Sequence, residues 1–216
     1  MTKRIAVKTA YANIYSEPRF SSQMVTQALF FEELDLISEH GDWFKVKQWD
    51  GYFGYIHKFY LSNNYNLDSQ SKIFISSRFQ SLYDSLDFNK EVSLVIPFGT
   101  IIPIEKKEEN INTTMIDGSK YYFQSSKIDD ISSTRKKIIL NGKKLLGSPY
   151  LWGGKTPFGY DCSGFVQSVF SSVGFKIGRD TSNQMIESKM SDINLEQAKM
   201  GDLLFFNIDG EGVDHV

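Results

Sequence analysis

The stretch YDCSGFVQSVF, Tyr160 to Phe170, holds the only cysteine among 216 residues, Cys162, set between an acid and a serine. Downstream, Phe165, Val166, Val169, Phe170 and Val173 recur with helical spacing and Gly174 is placed to end the run, so the pattern predicts a helix with Cys162 in its first turn. A helix start leaves backbone N–H groups unpaired and carries the positive end of the helix dipole, and both favour a thiolate over a thiol. That is where a nucleophile belongs. A lone cysteine is also commonly a small buried hydrophobe. Against that reading, Cys162 lies off the apolar stripe, and its neighbours Asp161, Ser163 and Gly164 are polar or minimal. Thiol catalysis further needs an imidazole within hydrogen-bond reach. Of the three histidines, His40 and His57 read as structural or solvent-facing. His215, in VDHV after the apolar run GDLLFF, would come from a separate element. The other reading of His215 is a surface residue near a chain end.

The elements that must position this chemistry fall into three segments. Residues 1–65 read as β structure: DWFKVKQWDGYFGYIH alternates, with Asp50–Gly51 between two strand-like runs, a hairpin signal because glycine accepts positive φ. Residues 66–130 repeat the plan. Tyr15 and Asp50 are spaced almost as Tyr83 and Asp117 are, and an apolar run (LFFEELDLI, LVIPFGTIIPI) precedes Asp-Gly in both, so two copies of one small barrel are expected. Residues 131–216 change character. A helix is predicted with Ser132 to Thr134 as N-cap candidates, Ile138, Ile139, Leu145 and Leu146 on one face, and Gly147 and Pro149 as its stop. Thr181 or Ser182 is a candidate cap of another short helix. MGDLLFFN reads as a buried strand leading through IDGEG into a hairpin partner that carries His215.

Composition is that of an ordinary soluble chain, 41% hydrophobic with a formal net charge of -2. Basic clusters no longer than Lys106–Lys107 or Arg135–Lys137 give no case for nucleic acid or an anionic membrane. One cysteine excludes an internal disulfide or a cysteine-rich zinc site, and three histidines leave poor metal options, so neither metal nor cofactor is expected. The N-terminus lacks a signal-peptide apolar core, and no run approaches the roughly 20 apolar residues of a membrane span. The expected location is the cytoplasm, or outside it (secreted or periplasmic) where a leader has been removed, and the expected state is a monomer.

The segments LLGSPYLWGGKTPFGYDCSGFVQSVF, IGRDTSNQM, GDLLFF and DHV, in this order across residues 135–216, resemble the NlpC family of bacterial cell-wall cysteine peptidases. SH3-like barrels commonly precede that domain, and the whole layout resembles the γ-D-glutamyl-L-diamino acid endopeptidases. The resemblance implies an α+β multidomain chain: two SH3-like β-barrels followed by a papain-like cysteine peptidase domain with its nucleophile helix packed on an antiparallel sheet. It also implies hydrolysis of the bond between γ-D-glutamate and meso-diaminopimelate or lysine in peptidoglycan stem peptides, in murein peptide recycling.

Carried over by position, Cys162 is the nucleophile, His215 the general base, and Tyr150 the hydroxyl that helps hold the oxyanion. Asp161 and Ser163 would face the substrate, and Arg179 and Thr181 would bind D-glutamate, whose free α-carboxylate suits a planar guanidinium. A solvated charge for Arg179, and simple helix caps for Thr181 and Asp161, are the plainer readings. In relatives of this layout the first barrel recognises a free N-terminal L-alanine; Asp161 and Glu17 are the candidate carboxylates for its ammonium, and Tyr52 the candidate aromatic at the entrance. The family carries a third polar residue about a dozen positions beyond the histidine, which fixes the imidazole's tautomer. This sequence ends at Val216, implying a C-terminal truncation or a degenerate site. Two other readings stay open at this level: a lytic endopeptidase of intact wall, and a non-catalytic wall-binding module.

Overall fold

The computed structural model describes residues 3–65, 71–124, 133–186, 190–208, 210 and 212–216. The chain divides into two compact units, Met1–Ile128 and Asp129–Val216. The expected segment boundaries at 65/66 and 130/131 adjoin or fall on residues outside those described, as does Ser132.

In the first unit, β1 (Arg4–Val7), β2 (Tyr11–Tyr15), β3 (Met24–Leu29), β4 (Glu33–His40), β5 (Trp43–Lys47), β6 (Phe53–His57) and β7 (Leu61–Ser62) form one antiparallel sheet in the order β3-β2-β6-β5-β4-β1-β7. Alternation along the strands turns Ile5, Val7, Ala12, Ile14, Leu34, Val46 and Ile56 into a common core. Seven shorter strands follow: β8 (Ser71–Phe74), β9 (Phe79–Leu82), β10 (Leu94–Pro97), β11 (Ile101–Ile104), β12 (Lys106–Glu108), β13 (Ile111–Ile116) and β14 (Ser119–Gln124).

Their pairings retrace those of the first seven. β1 pairs with β4 as β8 does with β11, and β2 pairs with β3 as β9 does with β10. The consecutive pairings β4–β5–β6 recur as β12–β13–β14. Tyr15 lies opposite Tyr55 as Tyr83 lies opposite Tyr122. The loop bonds recur too: Phe30 N–H to Ala10 O and Phe31 N–H to Val7 O correspond to Phe98 N–H to Arg78 O and Gly99 N–H to Ile75 O.

The two Asp-Gly signals both mark hairpins, with different turns. Asp117 and Gly118 sit at φ of 53° and 78° between β13 and β14, the doubly left-handed form of a tight hairpin. Asp50–Gly51 instead lies in a longer loop closed by Gln48 N–H to Tyr52 O, with Gly51 alone at positive φ. Asp117 also ties the unit together: one carboxylate oxygen accepts from Lys8 Nζ at 2.8 Å and the other from Ser62 Oγ at 2.8 Å.

These hydrogen bonds, Lys8 first, hold the Asp117 carboxyl below the usual carboxylate range. A depressed pKa means stability that is present above the unfolded-state value near 4 and is lost as pH falls through the lower folded-state value. Asp117→Asn, which tolerates the left-handed turn, is therefore expected to lower the first unit's stability at pH 7 by about 1 kcal/mol or less, given the exposure of the pair. The difference should shrink as pH falls below about 4. Urea titrations at pH 7 and pH 3 measure it; a deficit unchanged with pH refutes the carboxylate's role.

In the second unit, Ser133 Oγ accepts from Lys136 N–H to open α1 (Thr134–Lys144), and Gly147 turns the chain at φ +83°. Only Ile138 and Leu145 of the expected apolar face are buried; Ile139 is half-buried, and Leu146 is 71% exposed. β15 (Lys155–Thr156) and β16 (Gly159–Tyr160) form a short hairpin that leads directly into α2 (Cys162–Ser171), followed by α3 (Thr181–Met185). Val166, Val169 and Phe170 supply the buried face of α2.

The expected buried strand at GDLLFF does not form among the described residues. Among these residues its pairing is limited to the Phe206–His215 bridge, and Leu204 and Phe206 are exposed. Asp209 and Glu211 of IDGEG lie outside the described residues. Among the described residues, no helix is long and apolar enough to cross a membrane.

Candidate active site

Cys162 is the first residue of α2, as its cap and periodicity require. Asp161 adopts the extended backbone of an N-cap, and its Oδ1 accepts from Gly164 N–H at 2.7 Å. With that third N–H satisfied, the Cys162 and Ser163 N–H groups are the donors of the first turn left without a partner among the described residues. The sulfur lies 3.9 Å from Thr181 Oγ1 at the start of α3. Behind it, Gln184 of α3 donates through one Nε2 to Ser163 O and Gly178 O, each at 2.9 Å, which fixes α3 against the nucleophile turn.

Tyr150 is brought to the same place by its backbone. Tyr160 N–H donates to Pro149 O and Leu151 N–H to Tyr160 O, a parallel bridge that clamps Tyr150 beside the residue two before the cysteine. Tyr150 is 65% exposed. Partial burial first, then the charges of Cys162 and Asp161, push its pKa up, while the Arg179 guanidinium pulls the other way. Tyr150 therefore stays a protonated donor through neutral pH, as an oxyanion ligand must. Tyr150→Phe is expected to lower kcat about 100-fold with little change in KM, read from initial rates over a range of substrate concentrations. A loss confined to KM would give the hydroxyl a binding role instead.

Burial and hydrogen bonding describe the surroundings of three residues expected to meet substrate. Arg179 is 2% exposed, and its guanidinium is engaged by Asp161 (2.6 and 3.0 Å) and by Ser163 Oγ (2.9 Å). Ser163, 6% exposed, accepts from this guanidinium through its Oγ, and Thr181 is as deeply placed at 7% exposed. Asp161 accepts from Gly153 N–H, Gly164 N–H and Arg179 through its two oxygens.

Glu17 and Tyr52 belong to the first unit. Glu17 is exposed and paired with Arg19 at 2.9 Å, and Tyr52 donates its backbone N–H to Asp50 Oδ1. His215 is exposed and held by backbone bonds to Phe206; among the described residues the structure brings no hydrogen bond between its imidazole and Cys162. A cavity of about 1080 Å³ in this unit is lined by Ile138, Phe170, Phe175, Ile177 and Phe205, and its walls include none of Cys162, Tyr150 or Thr181. No cluster of metal-ligating side chains occurs among the described residues.

With this geometry in place, likeness to other proteins becomes informative. Residues 147–216 match the NlpC/P60 family and residues 10–62 the bacterial SH3 domain. The gamma-D-glutamyl-L-lysine dipeptidyl-peptidase of Bacillus subtilis is 34% identical over 202 residues, which cover 88% of this chain and 67% of that protein. The chain belongs to the NlpC/P60 family. A protein of the same description from Bacillus cereus is 29% identical over 216 residues, covering 90% of this chain and 64% of its own length, so the chain spans about two thirds of these relatives. The crystal structure of an NlpC/P60 family protein from Bacillus cereus superposes with a TM-score of 0.82 at 23% identity, covering 98% of this chain and 86% of that one, which shows a shared fold.

The NlpC/P60 chain is thus an SH3-like domain, β2 to β7 within the match, joined to a papain-like domain in which α2 begins at Cys162. Sequence reasoning missed Gln184 in this NlpC/P60 site. The signal was available: a glutamine three residues after Thr181 falls on the same face of a short helix.

Proposed function

We propose that the chain is a cysteine peptidase that hydrolyses the γ-D-glutamyl–diamino acid bond of peptidoglycan stem peptides, Cys162 attacking and His215 acting as general base. The observation that carries the reading is Cys162 at the first position of α2, with two open backbone N–H donors and the Tyr150 phenol beside it. The thiolate adds to the γ-amide carbon, and the N–H groups with Tyr150 hold the oxyanion. The protonated imidazole gives its proton to the leaving amine, and water then hydrolyses the thioester.

The likeness to gamma-D-glutamyl-L-lysine dipeptidyl-peptidases, which runs through both units of the chain, supports a released peptide as substrate rather than intact wall. A dipeptidyl-peptidase cutting after γ-D-Glu takes a substrate with a free N-terminal residue; Glu17 and Tyr52 are the groups proposed to read it, and Thr181 the hydroxyl proposed to meet D-Glu. We also read residues 1–65 and 66–130 as two SH3-like barrels and 131–216 as the peptidase domain, supported by the strand pairings and loop bonds that recur between the first two.

Mass spectrometry of the full chain incubated with L-Ala-γ-D-Glu-L-Lys, its meso-diaminopimelate counterpart and their N-acetyl forms tests this. Release of L-Ala-γ-D-Glu from the free peptides alone is expected. No release from any would overturn the reading, and equal release from the acetylated forms would remove the free-amine requirement.

A further inference from the structure

We infer that Arg179 is a positioning residue of the reaction: through Asp161 it fixes both the helix start that presents Cys162 and the loop that presents Tyr150. This rests on the peptidase reading above and assigns Arg179 a part distinct from contact with the substrate.

The geometry is that of a junction. Arg179 grips Asp161 in a two-point fork, Nη2 to Oδ2 at 2.6 Å and Nη1 to Oδ1 at 3.0 Å, an arrangement that fixes the plane of the carboxylate as well as its position. Each oxygen held in this way has a second task. Oδ1 caps α2 at Gly164 N–H, 2.7 Å away, and Oδ2 accepts from Gly153 N–H at 2.9 Å. The backbone closes the same junction, since Asp161 N–H donates to Gly154 O at 3.2 Å. Gly153 and Gly154 end the Pro149–Gly154 loop, whose other end is Tyr150 clamped to Tyr160.

The carboxylate has little solvent to fall back on. The side chains of Arg179 and Asp161 are 2% and 12% exposed. A carboxylate left without its guanidinium at that depth loses the partner that fixes its plane and compensates its burial, which weakens the cap and the loop tether. Arg179 also accepts the role of ordering Ser163, whose Oγ it reaches at 2.9 Å, in the turn that supplies the second oxyanion donor. A lysine cannot replace this fork, because a single ammonium fixes no plane.

Arg179→Lys, Asp161→Asn and the double variant, assayed on L-Ala-γ-D-Glu-L-Lys and on the same peptide with the D-Glu α-carboxyl amidated, separate positioning from substrate contact. Expected for Arg179→Lys is a kcat loss of about 100-fold with KM changed less than about 3-fold, by the same factor on both peptides. Asp161→Asn should lose as much, and the double variant no more than either single change. A defect carried by KM and relieved on the amidated peptide would overturn the inference in favour of carboxylate contact, and strictly additive losses would overturn the coupling.

Alkylation of Cys162 by iodoacetamide as a function of pH is the arm that needs no substrate. A slower, shifted profile in Arg179→Lys, with far-ultraviolet circular dichroism unchanged, is expected, and a profile identical to the unaltered protein overturns the inference. If the unaltered protein cuts neither peptide, the peptidase reading falls while the alkylation arm still decides the role of Arg179.

Discussion

Cys162→Ala is expected to abolish release of L-Ala-γ-D-Glu from the tripeptide, a loss of about six orders of magnitude in kcat if the thiol is the nucleophile. The expectation comes from position. The sulfur projects from the first residue of α2, where the two uncommitted N–H groups can take charge only from an intermediate attached at that sulfur. Removing the sulfur leaves those donors with nothing covalent to stabilise, so the oxyanion machinery cannot make up the difference. The fold should not notice. Cys162 is half-buried, and the side-chain hydrogen-bond contact that would be lost is a long sulfur–oxygen approach of 3.9 Å to Thr181. Product release followed by mass spectrometry, with a thermal melt alongside, checks both halves. A variant that keeps more than about a hundredth of the rate would show that another group attacks.

Gly164→Ala is expected to be nearly as damaging, for a steric reason. A Cβ at Gly164 would stand 2.2 Å from the Gly154 carbonyl oxygen and 2.8 Å from Asp161 Oδ1. Neither neighbour is the loose end of a flexible chain: one is backbone, and the other is the carboxylate that caps the helix. The helix start and the glycine loop must therefore part, at about 1–3 kcal/mol in stability, and about 100-fold in rate because the cysteine and Tyr150 are carried by the two parts that separate. Gly142→Ala is the control. It lies inside α1, with the Phe165 ring at an ordinary 3.5 Å, and should hold or gain about 0.5–1 kcal/mol through helix propensity. Melting curves and turnover of the two variants measured side by side test the contrast; a Gly164→Ala protein that keeps both its stability and its rate would refute the close approach.

What could be read from the sequence was what short-range chemistry dictates. The start of α2 followed from an acid before a periodic apolar run, and the two hairpins from Asp-Gly, because capping and turn preferences involve neighbours in the chain. Tyr150 was placed by motif, and the backbone bridge to Tyr160 is its physical basis. The partner of Arg179 was not legible: its fork closes on an aspartate 18 residues away, and nothing local says whether an arginine in GRDT points to water or to the interior. LFFEELDLI read only as an apolar run, and its true destination, the packing of Phe30 and Phe31 with Ile75, Leu82 and Phe123, is a long-range matter. GDLLFF failed for the converse reason, since a strand is made by its neighbours and apolar residues alone do not supply them.

Phe31 carries a further consequence. It sits at φ 64°, a left-handed conformation that disfavours a side chain by about 1–2 kcal/mol, and its counterpart in the second set of strands is Gly99 at φ 91°. A glycine would relieve the strain in the first set and forfeit the ring, which together with Phe30 and Ala6 fills the core of the second. The half-strained residue thus makes the first set of strands a structural subunit of the second. Opening the earlier strands would therefore expose the interior of the later ones, and the two sets are expected to melt in a single transition.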